Sequence, residues 1–213
     1  MDRAETPVLY GAKYSVYVQA VLLCLEEKRV AYDFQEVDVF AVGGPPLEHS
    51  QRHPFGRIPA FQHGEHMFYE TAPICRYIDE AFDGTPLQPR TPLARARMGQ
   101  AISIADNYVY KSMVWGVYVE TVDGPANGRP RNDERLAAAS KMASTCLLAL
   151  EQLAPESPWL AGDALTLADL HVAPMIALFR KSPVAACLMS AAPRIEAWFE
   201  RVSGREASGR ILA

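Results

Sequence analysis

The sequence predicts an α/β domain over residues 1–83 and an all-α helical bundle over residues 93–213, joined by a linker at 84–92. Three observations carry this reading. Short apolar runs bounded by turn residues alternate with a helix-periodic stretch in the first third of the chain. Residues 83–92 hold three prolines and a glycine, which break any regular element. Beyond that break the apolar residues recur at helical spacing and no strand pattern appears. With 213 residues, each domain can bury a core of its own.

Taken in order, residues 7–10 form a short apolar run stopped by Gly11, a strand ending in a turn. Ser15 then caps a helix reaching Lys28, because Val18, Val21, Leu22 and Leu25 fall on one helical face. Residues 31–39 alternate and predict a second strand. Gly43-Gly44-Pro45-Pro46 interrupts the chain, and an irregular or short helical segment runs to Arg52. Two short strands, Ile58-Pro59-Ala60-Phe61 and Met67-Phe68-Tyr69, flank the hairpin signal His63-Gly64-Glu65. A helix follows over 71–82, with Pro73 tolerated in its first turn. A long crossover between the first two strands requires parallel pairing, and the closing hairpin adds antiparallel strands. That is a thioredoxin-like layout. In the second domain helices are predicted at about 93–121, 133–153, 166–180 and 193–203, with a Pro/Gly-rich break at 123–132. Thr166-Leu167-Ala168-Asp169 reads as a capping box with Asp in place of Glu, flanked by Leu165 and Leu170 at staple positions. It is expected to build core and to touch no substrate.

Composition narrows the function classes. Apolar residues make up 49% and charged residues 22%, as in ordered globular chains. A net charge of -4, with cations dispersed and no group denser than Arg129-Pro130-Arg131, excludes nucleic acid as the main partner. No run of about 18 apolar residues exists to span a membrane. Residues 1–5 lack a leader pattern. Cys24, Cys75, Cys146 and Cys187 lie far apart in apolar stretches without metal spacing, and read as small buried thiols. The expectation is a cytoplasmic protein with no metal.

The segment His53-Pro54-Phe55-Gly56-Arg57-Ile58-Pro59-Ala60-Phe61, followed by Phe68-Tyr69-Glu70-Thr71-Ala72-Pro73-Ile74-Cys75-Arg76-Tyr77-Ile78, resembles the glutathione-binding signature of cytosolic glutathione transferases. Leu9-Tyr10-Gly11 with Ser15, Leu25-Glu26-Glu27-Lys28, and the capping box at Thr166 match the same family, so the resemblance spans nearly the whole chain. It implies a cis Ile58–Pro59 bond whose Ile58 backbone holds a peptide ligand. It also implies a helix mouth at Glu70-Thr71 that takes the ligand's α-carboxylate through free N–H groups, with Glu70 on the ammonium. On the residues alone, Pro59 reads as an ordinary trans proline at a strand start, and Thr71 can also serve as a plain N-cap.

The reaction such a protein runs needs a thiolate near neutral pH, whereas a free thiol titrates near pH 8.5. Lowering that by about two units takes roughly 2.7 kcal/mol of preference for the anion. A hydroxyl donating a charge-assisted hydrogen bond supplies about 1.5–3 kcal/mol, and a helix N-terminus about 0.3–1 kcal/mol. Ser15 stands at the matching place and resembles the serine of the phi, theta and zeta classes, where redox-active relatives carry cysteine. Tyr10 and Tyr14 are rival donors, and a plain N-cap is the alternative for Ser15.

The chain departs from the phi pattern in several places. The His-Lys pair expected to hold the glycine carboxylate falls on Gly44-Pro45, His53 replaces asparagine, and Thr71 replaces serine. Arg57, together with His49 or Arg52, is then the expected cation, the alternative for all three being solvated surface charge. The electrophile is expected between the domains, with Tyr108, Met113 and Trp115 as pocket candidates or, alternatively, as core. The resemblance implies a homodimer, with Phe55 as an interface key and Asp106 either near the partner's ligand or on plain surface. Three functions follow: conjugation of glutathione to hydrophobic electrophiles, a specialised glutathione-dependent lyase, isomerase or dehalogenase, and a non-catalytic binding protein.

Overall fold

The computed structural model describes residues 6–153 and 157–212; residues 1–5, where no leader pattern was read, lie outside them. The chain divides between Pro86 and Leu87 into two compact units. The first contains β1 (Val8–Gly11), α1 (Val16–Lys28), β2 (Asp33–Glu36), α2 (His49–Arg52), β3 (Ala60–His63), β4 (His66–Tyr69) and α3 (Thr71–Ala81). Its four strands form one sheet in the order β2-β1-β3-β4, with β1 parallel to β2 and the other pairs antiparallel. This is the thioredoxin-like layout. The predicted strand over 31–39 contracts to four residues because β2 is an edge strand, and β1 offers only four residues to pair with. The third strand starts at Ala60 and not at Ile58, since Pro59 has no N–H to give a ladder.

The core of this unit lies between the sheet and the two helices. Leu9 and Phe61, opposite each other on β1 and β3, are buried, as are Val18, Val21, Leu22 and Leu25 of α1 and Ile74 and Ile78 of α3. At the far end of that packing, Lys28 Nζ donates to Asp79 Oδ1 at 3.2 Å and to the Asp79 carbonyl at 3.0 Å. Both side chains are almost fully enclosed, and an ion pair so placed survives only while both partners remain.

The second unit is helical among its described residues: α4 (Pro92–Ile104), a π-wound continuation π1 (Ala105–Asp123), α5 (Gly124–Ala126), α6 (Asp133–Leu153), α7 (Leu167–Arg180), α8 (Ala185–Met189), α9 (Pro193–Ser203) and α10 (Glu206–Ile211). Thr91 caps α4 by accepting from the Ala94 N–H at 3.2 Å, with Pro92 in the first turn. The predicted helix over 93–121 exists, but its second half winds with i→i+5 bonds, as in Gly124 N–H to Val119 O. Two hydroxyls contribute: Ser112 Oγ donates to the Tyr108 carbonyl at 2.7 Å and Thr121 Oγ1 to the Val117 carbonyl at 2.8 Å. Each claims the i−4 acceptor that an α-helical N–H would otherwise use. The short helices α8 and α10 were not foreseen, because elements of five and six residues carry too little periodicity to read.

The capping box opens α7 as expected: Thr166 N–H and Oγ1 both donate to Asp169 Oδ2, at 2.7 and 2.8 Å. Asp169 also takes the Leu160 N–H and Trp198 Nε1, each at 2.8 Å, on its other oxygen. Cys24, Cys75 and Cys146 are buried thiols, whereas Cys187 is exposed, a correction to the expectation for all four. Among the described residues no helix is long and apolar enough to cross a membrane.

Candidate functional site

The register of the sheet brings the motif residues together. Tyr10 of β1 lies opposite Ala60 of β3, Ala60 lies opposite Tyr69 of β4, and Gly11 lies beside Glu36 of β2. Segments 12–15, 37–40, 57–59 and 70–71 therefore all leave the sheet at one edge. The chain order that scatters them is undone by one parallel and two antiparallel pairings.

At that edge Ser15 is the N-cap of α1, with φ -77° and ψ 122°. Its Oγ accepts from the Val18 N–H at 3.4 Å and donates to no acceptor among the described residues. The two rival hydroxyls are engaged. Tyr10 is buried, donates to Gln62 Oε1 at 2.9 Å, and carries the Arg52 guanidinium 4.3 Å above its ring. Tyr14 donates to Asp38 Oδ1 at 2.6 Å and stacks at a tilt on Phe40, ring centroids 5.7 Å apart. Burial and the Asp38 carboxylate push the Tyr14 hydroxyl well above the usual tyrosine range, while the Tyr14 and Phe40 donors hold Asp38 below the usual carboxylate range. Gln62 and Asp38 carry no signal in the sequence; only the fold sets them against these tyrosines.

The Ile58–Pro59 bond is cis. Ile58 and Thr71 are buried, and Thr71 is the first residue of α3; the N-cap position belongs to Glu70, which makes no side-chain cap bond. Glu70 has φ 70° and ψ 126°, a backbone conformation that costs a non-glycine residue about 1–3 kcal/mol and that gathers at ligand clamps. Nothing in the sequence foretold it, since Glu is an ordinary residue before a helix. Of the three candidate cations, His49 is fully enclosed and donates Nε2–H to the Arg57 carbonyl at 2.7 Å, which corrects its reading as a ligand contact: it braces the loop from beneath. Arg52 is committed to Tyr10. Arg57 is exposed. His53 Nδ1 accepts the Phe55 N–H at 3.3 Å, and burial, helped by the neighbouring His49 and Arg57 and opposed by Glu70, pulls its imidazole below the usual value.

In the helical unit, Met113 is wholly buried and belongs to the core, correcting its reading as a pocket contact, because it lies on the face of π1 turned inward with Val109 and Val117. Tyr108 and Trp115 are exposed and line a cleft of about 730 Å³ between π1 and α6. Asp106 Oδ1 meets the buried His171 Nε2 at 2.8 Å. Among the described residues no group of three or more His, Cys, Asp or Glu side chains could hold a metal.

Comparison with known proteins identifies the family and the fold. The profile of the glutathione S-transferase N-terminal domain matches residues 9–86, and that of the glutathione S-transferase C-terminal domain matches residues 113–206. The chain is 31% identical over 212 residues to the probable glutathione S-transferase GSTF1 of Oryza sativa subsp. japonica, covering 98% of this chain and 96% of that protein. The crystal structure of glutathione transferase F2 from Populus trichocarpa superposes with a TM-score of 0.86 at 26% identity, covering 97% of each chain. A theta class glutathione S-transferase from Xanthomonas axonopodis pv. citri, solved with glutathione bound, superposes with a TM-score of 0.81 at 25% identity over 97% of each chain.

Proposed function

The chain belongs to the glutathione S-transferase family, and from that premise we propose that it conjugates the glutathione sulfur to hydrophobic electrophiles, a detoxifying reaction in the cytoplasm, with the Ser15 hydroxyl activating the thiol. One observation carries the choice of group. Three hydroxyls stand near the end of β1, and the protons of Tyr10 and Tyr14 are already given to Gln62 and Asp38, whereas that of Ser15 is not committed among the described residues.

The tripeptide lies along the sheet edge. The Ile58 main chain pairs with its cysteinyl backbone, the N–H groups opening α3 take its α-carboxylate, and Glu70 takes the ammonium. Arg57 holds the glycine carboxylate, being the exposed member of the three cations. The Ser15 Oγ–H donates to the sulfur while the Val18 N–H polarises Oγ, and the mouth of α1 adds its partial positive charge. The thiol proton leaves to water, the thiolate lone pair forms the new C–S bond, and the electrophile's leaving group departs with its electrons. The electrophile rests on Tyr108 and Trp115 of the helical unit. The protein acts as a homodimer.

Turnover of chloro-dinitrobenzene with glutathione tests this. Ser15→Ala is expected to lower kcat at least about tenfold, the loss of one charge-assisted donor, while Tyr10→Phe and Tyr14→Phe stay within about threefold. A large loss in a tyrosine variant with Ser15→Ala near wild type reassigns the donor.

A further inference from the structure

We propose that the thiol site reads only the γ-glutamylcysteinyl part of its co-substrate and gives the third residue to an apolar subsite made by segment 37–48, so that γ-glutamylcysteinyl peptides ending in an uncharged group serve at least as well as glutathione. This deepens the glutathione reading above and rests on it.

The order of the strands sets where the third residue falls. Strands lie about 4.7–4.9 Å apart and a peptide advances about 3.3–3.6 Å per residue, so a tripeptide reaches across about two strand spacings. Its α-carboxylate sits at the mouth of α3, which follows β4, and its cysteinyl backbone pairs with Ile58, which precedes β3. The peptide therefore runs in the direction β4, β3, β1, and its third residue ends beside segments 12–15 and 37–40, which leave β1 and β2 at that edge.

Segment 37–48 walls this end with apolar groups. Asp38 Oδ1 accepts the Tyr14 hydroxyl at 2.6 Å and the Phe40 N–H at 2.9 Å, which ties the start of the segment to the mouth of α1. Phe40 is 67% exposed and lies against the Tyr14 ring, next in the chain to Ser15. Further along, a Cβ on Gly56 would lie 4.0 Å from Pro45 Cγ, so the segment closes on the turn that carries Arg57. Leu47 is 91% exposed. A third residue with an apolar end covers such groups and is itself covered.

Charge here is wrong for a tightly held carboxylate. Segment 37–48 contains no lysine or arginine, and its two charged residues, Asp38 and Glu48, are acidic. Lys13 Nζ stands over the Phe34 ring of β2, 5.8 Å from its centroid, Arg52 lies over Tyr10, and His49 is enclosed. That leaves Arg57, which is exposed; an ion pair in water is worth at most about fivefold in affinity.

Turnover of chloro-dinitrobenzene by the full chain tests this, with glutathione and its glycine benzyl ester as rival thiols. The C–S bond formed and the chloride released are the same for both, so the ratio of their kcat/KM values reads the subsite alone. The ester is expected to equal glutathione or to exceed it by up to about tenfold. Arg57→Gln should cost glutathione no more than about fivefold. Phe40→Ser should lower the ester-to-glutathione ratio at least about threefold, and Pro45→Lys, which sets a cation beside Arg57, should turn it toward glutathione at least about fivefold. Phe40 is exposed, so its variant should keep the wild-type melting temperature. An ester poorer than glutathione by about tenfold or more overturns the proposal, as does a ratio that neither Phe40→Ser nor Pro45→Lys moves. Ser15→Ala should slow both thiols alike. Glutathione turned over with the ester inert refutes this inference alone, whereas no turnover and no calorimetric heat with either thiol refutes the glutathione reading and this inference with it.

Discussion

Where a proton goes distinguishes three neighbouring hydroxyls that sequence alone leaves as rivals. Tyr10 and Tyr14 flank the end of β1 and resemble donors, yet each is tied to a residue distant in the chain, Gln62 and Asp38. Ser15 could be read as the cap of α1 because a hydroxyl before an apolar-periodic run is a local signal. Its freedom to donate depends on what the other two have met. His53 shows the same dependence. Its ring is enclosed and its folded pKa lies below the ordinary 6.5, so between the two values the unfolded chain carries a proton that the folded chain lacks. Stability from this group is therefore complete above about pH 6.5 and is lost as the pH falls toward the folded value. Urea unfolding of wild type and His53→Asn between about pH 5 and 7 is expected to show a shallower pH dependence in the variant, which keeps an acceptor for the Phe55 N–H without a titrating ring. Equal slopes would place the dependence on another group.

Among the elements, π1 separates what pattern shows from what packing imposes. Apolar spacing announces a helix after residue 92, but its winding beyond Ala105 is coupled to side-chain hydroxyls that take i−4 carbonyls and to the close approach of α6. Gly116 marks that approach, where Ala139 leaves no room for a methyl group. Gly116→Ala is expected to lower stability by about 1–3 kcal/mol despite better helix propensity, because neither helix backbone can yield cheaply. Pairing it with Ala139→Gly should recover most of that loss, a coupling that a double-mutant cycle of melting or denaturant midpoints will read. A full loss in the double variant would mean that the glycine serves its own helix and not the contact. Asp169 makes the complementary point: four residues of sequence suffice to see its cap on Thr166, whereas its bonds to Leu160 and Trp198 exist only because α7 and α9 pack.

For the whole molecule, the proposed homodimer is expected to use an aromatic surface of the α/β unit. Phe55 is 70% exposed, with His53 and Tyr69 set edgewise to it at centroid distances of 6.1 and 6.4 Å from its ring. An open aromatic group of this kind is normally covered. Light scattering at micromolar concentration is expected to give twice the 23.5 kDa chain mass, and Phe55→Glu to give the single mass with unchanged circular dichroism. A wild-type monomer removes the dimer.

Sequence by itself determined the order of strands and helices along the first unit, the α1 cap at Ser15, the capping box at Thr166 and the runs 53–61 and 68–78 that carry the family, because each is written in neighbours a few residues apart. The tertiary structure alone decided which hydroxyls donate to a protein acceptor, that His49 braces a loop while Arg57 faces outward, that Met113 is core, and that Glu70 holds a strained backbone. Those outcomes rest on contacts between residues far apart in the chain, and burial and hydrogen-bond partnership have no local spelling.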